Sequence, residues 1–464
     1  MKKQQLSLVS SLVCSALAAT PSLSHAAGFA IVEQNVSGLG NAYAGASSIA
    51  NDASTVFYNP AGMTQLSGRH FSASIHSIKP SAKFTDSSSS VTTGGNGGDG
   101  GGTEIVPNIY YVTPVSDKTK FGIGINAPFG LSTEYDDGWK GRYQAVKSTV
   151  TTLNINPSIG FSTDTPFSFG LGINIQYMDA KLTNALDFGA ICYGATQVAG
   201  SPLTPADCNN AGLIPQSALP ASAQSDRNDG FADITGDSWG IGYNFGILFA
   251  PTNQSRAGFS YRSKIKHKLG GDADFRIAST VPNATSDPRF TGINLAFADT
   301  NATASITLPE QWALSSYQQL TKKWELLGEI TYTKWSQIQE LVIEFDNAYK
   351  GASVEDIKFR NTYRYAIGTN YKPNDRFTYR LGFAFDEGAA PNATYRTPRI
   401  PDHDRKWLAL GFGYKQNNIS FDVGYARLFI DDAYINRTGS QGDTLNGKYQ
   451  LSVDILSAQF GYAF

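Results

Sequence analysis

From about Arg69 onward the chain alternates apolar with small or polar residues in a period of two. Phe167, Phe169, Leu171, Ile173, Ile175 and Tyr177 interleave with Ser168, Gly170, Gly172, Asn174 and Gln176, which predicts a strand with one greasy face and one small or polar face. Trp239 to Phe249 repeats the pattern against Gly240, Gly242, Asn244 and Gly246, and Phe377–Phe385 and Ile419–Tyr425 follow suit. The alternation predicts fourteen strands, the third over 119–131 and the last over 447–464. Tight turns at 115–118, 164–165, 251–253, 372–375 and 417–418 alternate with long loops rich in Gly, Ser or Pro. An even strand count with short turns at one end and long loops at the other points to an outer-membrane barrel rather than a soluble sandwich.

Composition sharpens that choice. Only 16% of the 464 residues are charged while 12% are aromatic, against about 25% charged in a soluble domain. Beyond the first residues no apolar run reaches the roughly 18 positions of a spanning helix, which excludes a helical membrane protein. The net charge of −2 offers no basic footprint, so nucleic acid is not the expected partner. Lys2 and Lys3, the apolar run 6–19 and Ser24-His25-Ala26 form a signal peptide over 1–26, with a mature start near Ala27. Cys14 leaves with the signal, and Cys192 and Cys208, both in the long segment 187–230, are expected to pair in an exported chain. Residues 86–102 are a low-complexity tip expected to be mobile. In the last strand the apolar parity runs back from Phe464 to Leu456 and then switches to Ile455, Val453, Leu451 and Tyr449, which means a bulge or an apolar upper interior.

Residues 27–68 lack the period of two and are dense in Gly, Ala, Ser and Asn. They contain Gly38-Leu39-Gly40-Asn41-Ala42-Tyr43-Ala44-Gly45 and end in Phe57-Tyr58-Asn59-Pro60-Ala61-Gly62-Met63. Phe29, Ile31, Val32, Phe57 and Met63 are too apolar for a free tail, so this stretch is expected to fill the lumen, its small residues packing backbone against the wall. Farther on come Asn126-Ala127-Pro128-Phe129-Gly130-Leu131-Ser132-Thr133-Glu134-Tyr135, Leu308-Pro309-Glu310-Gln311-Trp312, Tyr332-Thr333-Lys334-Trp335-Ser336 and Ile400-Pro401-Asp402-His403-Asp404-Arg405. With these segments in order, the chain resembles the long-chain fatty acid transporter (FadL) family, also known as the outer-membrane protein transport family, which includes toluene-uptake relatives.

The resemblance covers essentially the whole mature chain. It implies an all-β fold, a transmembrane antiparallel β-barrel of 14 strands over 69–464, plugged by a hatch over 27–68. It implies passive uptake of a hydrophobic ligand, which collects outside, moves to a deeper apolar pocket and leaves sideways through a gap at a kink in the third strand. By that resemblance the gap sets Asn59, Pro60 and Ala61 of the hatch against Pro128, Phe129 and Gly130. The residues support a kink on their own account, because Pro128 cannot donate to the ladder and Gly130 tolerates bent backbone. A sideways exit also spares a greasy ligand about 0.8 kcal/mol of exposure per methylene in water. The closing aromatic strand ending in Phe464 looks like the signal read by the barrel-assembly machinery. Outer-membrane lipid and lipopolysaccharide are the expected surroundings of a monomer.

Ligand chemistry is less sharply written. A buried carboxylate needs a cation, and fatty-acid members of the family resemble one another in carrying basic residues where this chain has Asn184 and Glu355. Lys181, Lys358 and Arg360 are the nearby candidates to supply the charge, with Phe29 and Ile31 as apolar contacts. Long-chain fatty acid is the first expectation and a monoaromatic hydrocarbon such as toluene the second. A barrel lipase or protease is the competing class, and Asp402-His403-Asp404 is its one constellation, read here as a structural polar network. The hatch-like stretch and the aromatic content argue against an open porin. Nothing calls for a cofactor, and no His spacing suggests a metal.

Overall fold

Alternation produces what it predicts. In the computed structural model, which describes residues 28–214 and 228–464, the outward positions of the strands are mostly exposed apolar side chains, and many inward ones are small, polar or packed on the plug. The signal segment and Ala27 lie outside the described residues. The strands are β1 (His70–Asp86), β2 (Glu104–Pro114), β3 (Thr119–Asn126 and Gly130–Glu134), β4 (Lys147–Ser162), β5 (Phe167–Asp187), β6 (Asp229–Thr252) and β7 (Ser255–Arg262 and Ile265–Arg276). They continue as β8 (Thr300–Leu308 and Gln311–Gln319), β9 (Trp324–Thr333 and Glu340–Phe345), β10 (Ser353–Asp356 and Thr362–Tyr371) and β11 (Phe377–Asp386). The wall ends with β12 (Arg405–Gln416), β13 (Ile419–Ile430 and Ala433–Thr438) and β14 (Thr444–Ala463). Each pairs antiparallel with its neighbour, and β14 closes on β1 from Gly447↔Asp86 to Ala463↔His70, giving a closed barrel of fourteen strands. Closure leaves no free edge, as a bilayer demands.

Pairing along β14 is continuous, so the parity switch is no bulge. Ile455, Val453, Leu451 and Tyr449 share the inward face with Ser457 and Gln459, and the upper interior is apolar there. The middle of the lumen is polar instead. Asn154 donates to Asn126 and Asn174, and Asn156 and Asn174 both donate to Asn244, forming a ladder across β3 to β6. Aromatic pairs such as Trp312–Tyr332 and Phe167–Phe249 ring the outer face at two levels, the interfacial belts of a membrane barrel.

Residues 28–68 lie against the inner wall through short turns of helix at Val36–Leu39, Ala46–Ile49, Thr55–Tyr58 and Pro60–Gln65. Asn41 Nδ2 donates to Thr369 O at 3.0 Å, and Ser47 N donates to the Glu329 carboxylate at 3.1 Å. Val36 N donates to Gln459 at 2.8 Å. The segment expected to be a mobile tip differs from that expectation. Ser87 and Ser90 donate backbone hydrogen bonds to Asn446 and Thr444, and Gly100 N donates to Ala82 O. Its glycines let it lie against the loop bearing Trp139. Above the barrel, Cys192 and Cys208 are joined, with Cα atoms 6.0 Å apart, in a cluster with Phe188, Leu203, Phe290 and Ile293 from two long loops.

Candidate functional site: a wall break and the apolar cavity behind it

The third strand is interrupted where Pro128 falls. β2 pairs with β3 only from Ile109↔Ile125 to Pro114↔Lys120, and Gly130–Glu134 pairs with β4 alone. Pro128 has no N–H to give β2, and the chain bends away. The edge so exposed is taken up by the plug. Ala30 bridges Phe129, Ile31 N donates to Pro128 O at 2.9 Å, and Gly130 N donates to Phe29 O at 3.0 Å. Gln34 Nε2 adds a bond to Ala127 O at 3.0 Å. The Phe29 ring packs between Phe129 and Trp335, with centroids 5.9 and 5.1 Å away.

This contact corrects the expected placement of the Asn59-Pro60-Ala61 motif. Asn59 Nδ2 donates to Ile247 O on β6 at 3.1 Å and to Ser47 O at 2.7 Å, while its Oδ1 accepts from Ala61 N at 3.0 Å. A Cβ at Gly246 would stand 1.9 Å from Asn59 Oδ1, and one at Gly170 would stand 2.3 Å from Ala61 N. The motif is therefore seated on the glycines of β5 and β6. The chain facing Pro128, Phe129 and Gly130 is Phe29–Ile31.

What holds that segment is the Asp402-His403-Asp404-Arg405 motif. Asp402 Oδ2 accepts from Gly28 N and Ala389 N, both at 3.0 Å, and Arg405 donates to Gly28 O at 2.8 Å. Gly28 has φ +59°, and a Cβ there would lie 2.6 Å from Trp335, so only glycine fits. His403 Nδ1 accepts from the Asp404 N–H, an arrangement that positions backbone rather than a nucleophile. Burial lowers the His403 pKa, with Arg396 adding to the effect.

Behind Phe29 lies a cavity lined by Leu131, Met178, Leu269, Ile338 and Leu341 among other apolar groups. Among the described residues its one cationic liner is Arg399, 8% exposed, from the loop before β12. Arg399 Nε donates to Glu355 at 3.2 Å, and Arg437 reaches the same carboxylate at 3.5 Å. Burial lowers the Arg399 pKa and Glu355 opposes the effect.

The other expected ligand residues scatter. Phe29 lines the cavity, and Ile31 faces a second, more polar space between plug and wall. Lys181 shares the outward parity of Tyr177 and pairs with Asp233 at 2.6 Å on the outer face. Lys358 is half-buried and paired with Asp356 at 2.9 Å, and Arg360 donates from Nε to Gly388 O at 3.0 Å; neither lines the cavity. Asn184 and Glu355 do meet, since both touch Arg399. Sequence reasoning missed Arg399 itself, which stands one residue before the Ile400–Arg405 motif. Phe464 is exposed, its N–H bonded to Arg69 O at 2.9 Å.

A sealed barrel whose interior holds an apolar cavity next to a wall break is a channel for hydrophobic compounds. Comparison with known proteins places it. The profile of the family described as outer membrane protein transport protein (OMPP1/FadL/TodX) matches residues 16–464, and the chain belongs to that family. It is 33% identical over 450 residues to the long-chain fatty acid transport protein of Escherichia coli O157:H7, covering 94% of each chain. It is 30% identical over 483 residues to outer membrane protein P1 of Haemophilus influenzae strain Rd, covering 98% of this chain and 99% of that one. Among solved structures, a Pseudomonas aeruginosa FadL homologue superposes with a TM-score of 0.83 at 25% identity, over 94% of this chain and all of that one. The Pseudomonas putida toluene transporter TodX shares the fold with a TM-score of 0.67 at 14% identity, over 94% and 100%. The protein is an outer-membrane transporter of hydrophobic compounds and not an enzyme.

Proposed function

We propose that the chain takes up long-chain fatty acids, holding the carboxylate at Arg399 and the alkyl chain in the cavity behind Phe29, and releases them sideways through the break in β3. The observation that carries this reading is the end of the cavity, where one carboxylate, Glu355, serves two guanidiniums. An incoming carboxylate can take Arg399 while Arg437 keeps Glu355. Each buried methylene adds about 0.8 kcal/mol, which suits a cavity lined chiefly by aliphatic side chains. Withdrawal of Phe29–Ile31 from Pro128–Gly130 opens the wall, and the ligand leaves without crossing the polar Asn ladder below.

Glu355 also favours a second reading. It holds Arg399 Nε while the terminal nitrogens of the fork are bonded to Ser148, Thr183 O and Asn184, so the guanidinium is already partnered, which suits an uncharged hydrocarbon. Competitive binding of oleate and toluene to purified protein separates the two. For a charge-assisted bond worth about 1.5–3 kcal/mol, Arg399→Ala weakens oleate binding about 10- to 100-fold and leaves toluene unchanged, whereas Glu355→Gln tightens oleate. Tight toluene binding with no oleate competition, unchanged by either substitution, would establish the hydrocarbon reading.

A further inference from the structure

The outer face of β7 carries a feature that the transport route does not use. Its upper half reads Lys264-Ile265-Lys266-His267-Lys268-Leu269. Ile265, His267 and Leu269 are buried. His267 bonds Gln176 and Ser238, and Leu269 lines the apolar cavity, so these three face inward. The three lysines are exposed and face the other way. Successive outward positions are about 6.8 Å apart, which makes a ladder of three cations on one strand.

Among the described residues no ion pair answers it. The neighbours of Lys266 and Lys268 across β8 are Thr307 and Ser305. Glu310, which Lys264 influences, is already held by Lys334 at 2.9 Å and by the Tyr261 hydroxyl at 3.0 Å. Like charges side by side on a sheet face are unfavourable, so the row is one that an external anion would stabilise.

Its position says which anion. Below the ladder on β7 is Tyr261, whose ring stacks on Trp312 at 5.7 Å, with Tyr332 stacked on Trp312 in turn. That aromatic belt marks the bilayer boundary on the side of the long loops. On the β6 side the ladder is flanked by Tyr243, Ile241 and Trp239, which are 57%, 73% and 59% exposed, and the next outward residue is Asp237. Cations and a greasy strip thus lie side by side on the bilayer-facing surface, where headgroups meet acyl chains. We propose that Lys264, Lys266 and Lys268 bind the phosphates of lipopolysaccharide in the outer leaflet, with its acyl chains lying along Trp239, Ile241 and Tyr243. The ladder tethers the barrel to the lipid that surrounds its loop side.

The test uses the full-length protein with all three lysines changed to glutamine, a second variant with all three changed to arginine, and two probes, native and dephosphorylated lipopolysaccharide. Lipid retained after detergent washing is counted by native mass spectrometry. Wild type and the arginine variant are expected to retain native lipopolysaccharide, with retention falling as salt rises. The glutamine variant is expected to retain at least tenfold less, and wild type to hold the dephosphorylated lipid no better than that. Oleate binding is expected to be the same in all three proteins, which separates this site from the cavity. Equal retention by the glutamine variant, or wild-type retention indifferent to the phosphates, would overturn the assignment. So would a loss of oleate binding with lipopolysaccharide unaffected, since the ladder would then serve fatty carboxylates.

Discussion

Locking the plug to the third strand tests the exit directly. Ala30 and Phe129 are bridged with the two flanking hydrogen bonds, Ile31 N to Pro128 O and Gly130 N to Phe29 O, lying outside the pair. Such a non-hydrogen-bonded antiparallel pair has Cα atoms about 4.5 Å apart, within disulfide reach. The double substitution Ala30→Cys with Phe129→Cys should therefore crosslink on mild oxidation, the native Cys192–Cys208 pair leaving no other thiol among the described residues. In the reduced form the hydrogen bonds of the seal are those two and the Gln34 bond to Ala127, each contributing about 1 kcal/mol net, and burial of the Phe29 ring against Phe129 and Trp335 adds about 2 kcal/mol. Opening against about 5 kcal/mol leaves roughly one barrel in several thousand open at any instant. The disulfide removes that population altogether. Uptake of labelled oleate into proteoliposomes should drop to background on oxidation and return with dithiothreitol, while oleate binding persists throughout. If the oxidised protein transported at the reduced rate, the break in β3 would not be the exit.

Two further perturbations address the plug. Gly28→Ala puts a Cβ against Trp335 at a backbone position with φ +59°, which costs about 1–2 kcal/mol for the conformation alone. Hydrogen exchange at Ile31 and Gly130 should accelerate about tenfold or more while the amides of β14 are unaffected. Glu33, buried in the plug, has its carboxyl pushed up to about 7 by burial, against the partial relief of its own backbone hydrogen bond and of Arg405 and Arg364. A raised carboxyl means the docked plug binds a proton the undocked one releases. Docking is then strongest below about pH 4.5 and weakens as the pH climbs through 7, by about 3 kcal/mol in all. Exchange of plug amides, corrected for the intrinsic rate, should rise between pH 5 and pH 8 in wild type and rise less steeply in Glu33→Gln, where the Glu329 carboxyl that accepts from Ser47 N remains.

The wall was legible because alternation is local. A strand with Phe169, Leu171 and Ile173 out and Gly170, Gly172 and Asn174 in declares its two faces without knowledge of its neighbours. The kink was legible for the same reason, since Pro128 breaks pairing wherever it falls. What the plug touches is tertiary, and the resemblance led to the wrong contact for Asn59. A signal existed in the glycines Gly160, Gly170 and Gly246, inward-facing on adjacent strands, which mark a place where another backbone comes close. Lys181 was also readable: it shares parity with Tyr177 and so belongs to the outer face. Arg399 was not, because it reaches the cavity from an irregular loop whose path no periodicity describes.

One residue, Phe29, belongs to two devices at once: its ring lines the cavity and its carbonyl closes the wall. Occupancy and opening are therefore reciprocally linked. Whatever factor a bound ligand contributes toward unsealing the wall, an unsealed wall must return to the ligand's affinity. On the proposed sideways route, a ligand that crowds the Phe29 ring would loosen the seal only while it is there, so that an empty barrel would open rarely and a loaded one more often. The outer membrane would thereby keep its barrier against solutes that never fill the cavity, with no moving part larger than three residues of chain.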